Sequence, residues 1–76
     1  MIHTRKDYDR IQDPENKIPE DEPVFLLRAQ DQIAAEVVRY WEKLHIARGG
    51  NFDIAKSALK LADLMDDWPK HKSADL

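Results

Sequence analysis

Residues 23–48 read PVFLLRAQDQIAAEVVRYWEKLHIAR, and after Pro23 this stretch contains neither glycine nor proline. Leu26, Ile33, Val37, Trp41 and Leu44 recur at three-, four- and seven-residue spacing, with Leu27, Ala34 and Val38 beside them. That is an apolar stripe at the helix period, not the alternation of a strand. Asp21 or Glu22 can cap the start, and Pro23 suits a first helical position, where its missing N–H costs nothing. Gly49 and Gly50 supply the stop, because glycine reaches the left-handed conformation cheaply. A straight helix over this span would be about 39 Å long, at 1.5 Å per residue. Asp31 is a second candidate N-cap, so a break near Gln30–Asp31 is expected.

Working outward, residues 1–22 read as a polar N-terminal arm, 23–68 as a helical hairpin and 69–76 as a flexible tail. The arm is interrupted by Pro14 and Pro19, and Asp13-Pro14-Glu15-Asn16 has the chemistry of a turn. After the Gly-Gly link, Asn51 or Asp53 can cap a second helix. Ile54, Ala58, Leu61, Met65 and Trp68 then draw a narrow seam of the coiled-coil kind, and Pro69 ends it. The expected fold is therefore all-α: an antiparallel helical hairpin, with room for a short extra front helix.

A hairpin buries one stripe on each helix, yet Phe25, Val38, Tyr40 and Ile46 point away from the first stripe. A chain of 76 residues with no cysteine has no disulfide to reinforce it, and chains this short are commonly stabilised by association. A homo-oligomer is expected, with Leu27, Val38, Tyr40, Trp41 and Trp68 as interface residues.

The charged fraction is 36 % and the net charge −3. A general DNA-coating role is disfavoured, since phosphate binding wants a basic surface. No apolar run reaches the roughly 18 residues of a membrane span. The start, MIHTRKDYDR, lacks a signal-peptide core, so a cytoplasmic location is expected. His3, His45 and His71 form no metal-ligand pair. Neither Ser57 nor Ser73 lies in a nucleophile-elbow motif. The chain is expected to have no catalytic centre, metal or cofactor, and not to be an enzyme. His45 reads as a helix C-terminal residue meeting free carbonyls. Tyr8 beside Arg10 offers a stacking face and a guanidinium, a pair suited to a base and a phosphate.

Tyr8-Asp9-Arg10, the stretch from Pro23, the Gly49-Gly50 link and the spaced residues Ala58 to Met65 give a layout that resembles small phage and prophage helical proteins. It is similar to the phage nucleotide sponges of the anti-CBASS type, with identities confined to a few residues and the segment Pro14 to Pro23 departing from the pattern. The resemblance implies a compact helical oligomer that sequesters a cyclic nucleotide signal of host defence between protomers without cleaving it. Tyr8 would stack on the base, and Arg10, Lys17 and Arg28 would meet phosphate. The alternative expectation is a protein-binding inhibitor of a host nuclease or defence complex. Its acidic surface, with Asp13, Glu15, Glu20, Asp21 and Glu22, would mimic nucleic acid. The candidate partners are a second copy, a nucleotide second messenger or a host protein.

Overall fold

The computed structural model describes residues 1–3 and 12–75. The chain is mostly helical. Two short strands, β1 (Ile2–His3) and β2 (Pro23–Val24), precede two helices, α1 (Ala34–Ala47) and α2 (Phe52–Asp67), which pack as a hairpin.

Two expectations are corrected. The chain is not purely α-helical: Ile2 pairs with Pro23 and His3 with Val24 in a parallel two-stranded sheet, and the Ile2 N–H donates to the Glu22 carbonyl at 2.7 Å. The long helix does not begin at Pro23, and no front helix occurs among the described residues. Pro23 suits an extended segment as well as a helix start, and its lack of an N–H is tolerated on a sheet edge. The expected break near Gln30–Asp31 occurs, but Asp31 is not the N-cap: Ile33 holds that position without a side-chain cap, and α1 begins at Ala34. The Asp31 carboxylate accepts the Ile33 N–H at 3.0 Å, and its carbonyl accepts the Ala34 N–H. That local bonding turns the chain into α1.

The turn at Asp13 forms as its residues suggest. Its carboxylate accepts the backbone N–H groups of Lys17 and Ile18, both at 3.0 Å, and Asn16 takes φ 51°. Asn51 caps α2, its side chain accepting the Ile54 N–H at 3.0 Å. α2 ends at Asp67, with Trp68 as its C-cap ahead of Pro69.

The core differs from the stripes read in the sequence. Ala34 and Ala62 are fully buried, Ala35 and Met65 nearly so, and Leu27, Ala29 and Val38 pack against them. Ala55 is buried further along the hairpin. Of the seam expected on α2, Met65 is buried and Ala58 half-buried, whereas Ile54, Leu61 and Trp68 are about half exposed. On α1, Ile33, Val37, Trp41 and Leu44 are likewise exposed. Alanines let two helix backbones approach closely, so the rows that meet are the small ones and the large side chains are turned outward. Each buried methyl contributes only about 0.8 kcal/mol, against roughly 1.5–3 kcal/mol for a fully buried Leu or Ile.

After Pro69, His71, Lys72, Ser73 and Asp75 make hydrogen bonds. The Lys72 N–H donates to the Gln30 carbonyl at 2.7 Å, and the Gln32 N–H donates to the Lys72 carbonyl at 2.9 Å. His71 Nε2 donates to the Met65 carbonyl at 3.0 Å. The segment expected to be a loose tail thus runs back along the entry to α1.

Candidate functional site

The hairpin turn builds a groove. Gly49 takes φ 78°, the left-handed position that ends α1, and its N–H donates to the Ile46 carbonyl. The Gly50 N–H donates to the His45 carbonyl at 2.8 Å. The His45 ring lies flat against Gly50, where a Cβ would fall within the imidazole. His45 Nε2 donates to the Asn51 carbonyl at 2.9 Å, which sets the Nε2–H tautomer. His45 therefore bonds across the turn to the cap of α2, not to the free carbonyls of α1. One turn earlier, Trp41 stacks on His45 with ring centroids 4.8 Å apart and planes 17° from parallel.

Trp41, Leu44, His45, Arg48 and Gly50 line a groove of about 470 Å³, open to solvent. Trp41 and Leu44 offer apolar contact beside the packed His45 ring, and Arg48 adds a guanidinium. The C-terminus of α1 and the N-terminus of α2 meet at this turn, so their opposite partial charges offset each other. Arg48 on the α1 side and Asp53 in the first turn of α2 are the charged side chains flanking the turn.

Of the binding residues read from sequence, Tyr8 and Arg10 lie outside the described residues. Lys17 is exposed, with its ammonium 2.6 Å from Glu15 Oε2. Arg28 is exposed, three residues before Asp31. Of the expected interface residues, Leu27 and Val38 pack on the interior of the protomer, while Tyr40, Trp41 and Trp68 are exposed. The groove residues His45 and Arg48 were not among the binding candidates read from sequence. Their signal was the spacing Trp41, His45, Arg48, which places all three on one helix face ahead of a Gly-Gly stop.

Among the described residues, no three His, Asp or Glu side chains gather where they could hold a metal ion. No described helix is long and apolar enough to cross a membrane. Compared with known proteins, the chain matches no family model, no curated protein and no solved structure.

Proposed function

We propose that the chain is a small, phage-type, cytosolic binding protein that holds an anionic nucleotide and works by sequestering it, without chemistry. The observation that carries this reading is the groove of Trp41, Leu44, His45 and Arg48. A base can lie on the open aromatic and apolar surface, and a phosphate can meet Arg48. Stacking on an aromatic side chain contributes about 1–3 kcal/mol per base, and guanidinium geometry matches phosphate oxygens. The chemistry is that expected of Tyr8 and Arg10, offered by residues at the hairpin turn. Those two remain candidate contributors from the N-terminal arm.

Calorimetric titration with a panel of linear and cyclic nucleotides, read beside tryptophan fluorescence, tests the proposal. A bound nucleotide should quench Trp41, and Arg48→Ala should weaken binding by about tenfold, the loss of one charge-assisted hydrogen bond. Tyr8→Ala and Arg10→Ala report whether the arm contributes. Absence of heat and of quenching across the whole panel would overturn the reading.

A further inference from the structure

His45 has one ring nitrogen committed and one left over. A carbonyl can only accept, so the bond from Nε2 to the Asn51 carbonyl at 2.9 Å keeps a proton on Nε2 in both charge states of the ring. Nδ1 is the nitrogen whose chemistry can change. Among the described residues no group bonds it. The buried side-chain nitrogens without a partner among those residues are the two of His3, so Nδ1 of the half-buried His45 is open to solvent. The Trp41 stack, the Gly50 backbone against the ring and the bond to Asn51 together hold the imidazole in one orientation.

The neutral ring therefore presents an acceptor at Nδ1, and the imidazolium presents a donor. Histidine is the side chain that passes between these forms in the range of about pH 5 to 8. To a phosphate oxygen, a neutral Nδ1 sets lone pair against lone pair. A protonated Nδ1 offers a charge-assisted hydrogen bond. Arg48 stands three residues further along α1 and lines the same groove, so the two groups are neighbours on one helix face.

The surroundings admit the charged form. On α1, Arg48 and Glu42 each lie three residues from His45, and their charges act on the ring in opposite senses. The turn, Gly49, Gly50 and Asn51, has no ionisable side chain, and α2 brings Asp53 in its first turn. Among the described residues no ion pair involves His45, so no carboxylate of the protein takes up a proton-bearing Nδ1. On protonation the Trp41 stack gains cation–π character, and the last turn of α1 favours a cation.

We infer that His45 is the second anion contact of the groove, donating from Nδ1 to a phosphate oxygen beside Arg48, and that it does so only when protonated. The inference rests on the nucleotide reading of the groove and adds its regulation: capture is tight in acid and weaker above neutrality. Coupling is reciprocal, so a bound phosphate raises the pH at which His45 charges.

Cyclic AMP is the probe, because its phosphodiester keeps a single negative charge across this range. Calorimetric titration should show binding about tenfold tighter at about pH 5.5 than at about pH 8, the effect of one charge-assisted hydrogen bond. Adenosine, which lacks the phosphate, should show no such gain. His45→Gln should bind cyclic AMP equally at both pH values. Should that variant fail to fold, the wild-type chain still decides. Followed by NMR, the ring protons of His45 should titrate about one pH unit higher with saturating cyclic AMP, while those of His3 and His71 stay in place. Affinity that is flat with pH, an acid gain that persists in His45→Gln or appears with adenosine, a titration shift at His71 in place of His45, or no binding of cyclic AMP in acid would each overturn the inference. The nucleotide reading itself falls only if the whole panel is silent, so pH-independent binding removes the role of His45 and leaves the groove.

Discussion

Arg39 reaches Asp66 across the hairpin at 2.6 Å, and the same guanidinium nitrogen lies 3.0 Å from Asp63. This bridge ties α1 to α2 along one side of the hairpin. Hydrogen bonds to Asp66, then Asp63, hold the Arg39 pKa above its ordinary value. A group raised in this way contributes stability below its unfolded pKa and loses it only as pH rises through the folded value. For arginine that window lies above the working range, so Arg39 stays charged throughout it. Arg39→Ala should lower the melting temperature modestly, and the difference should shrink in high salt, because the bridge is solvent-exposed. Melting curves at low and high ionic strength measure this.

Gly49 and Gly50 should respond differently to alanine. Gly49 has open space around a would-be Cβ but sits at φ 78°, so Gly49→Ala should cost about 1–2 kcal/mol of backbone strain. At Gly50 the methyl would displace the His45 ring. Gly50→Ala should therefore break the Trp41–His45 stack and change tryptophan emission, with a cost of about 1–3 kcal/mol. Chemical denaturation monitored by fluorescence separates the two.

Ala62 is fully buried between the helices. Ala62→Leu forces the backbones apart and should destabilise by about 1–3 kcal/mol or more, although it adds apolar surface. Denaturant midpoints for this variant and for Ala62→Gly check that the site is limited by space.

The Lys72 N–H and the Gln32 N–H, both bonded across the join of tail and α1 entry, should exchange slowly with deuterium. Deleting residues 70–76 should free the Gln32 amide and lower stability. Hydrogen exchange on the full and shortened chains compares them directly.

The helix period, the Gly-Gly stop, the Asn51 cap and the Asp31 break were legible because each rests on local backbone chemistry. Which face turns inward was not. Periodicity tells which residues share a face, and it weighted Val37, Trp41 and Leu44 by their size, whereas the hairpin closes on Ala34, Ala35 and Ala62 because small side chains allow close approach. The pairing of Ile2–His3 with Pro23–Val24 involves two residues a side, too few for alternation to register. The backbone bonds of Lys72 leave no side-chain signature. The groove was legible in part: Trp41 stood out as an aromatic, but the flat seat of His45 on Gly50 depends on the conformation of the turn. Tyr8 and Arg10 could be read as a chemical pair from their proximity in sequence, and their part in binding rests on the variants described above.

Native mass spectrometry of the purified protein, with and without added nucleotide, reads assembly and ligand in one experiment. Among the described residues the buried apolar side chains are small or medium, Ala34, Ala35, Ala55, Ala62 and Met65, and the large apolar residues of both helices are exposed. The expected spectrum is a species of more than one 8.9 kDa chain that gains the mass of bound nucleotide. A folded single chain of 8.9 kDa that takes up no nucleotide would contradict both the assembly and the function.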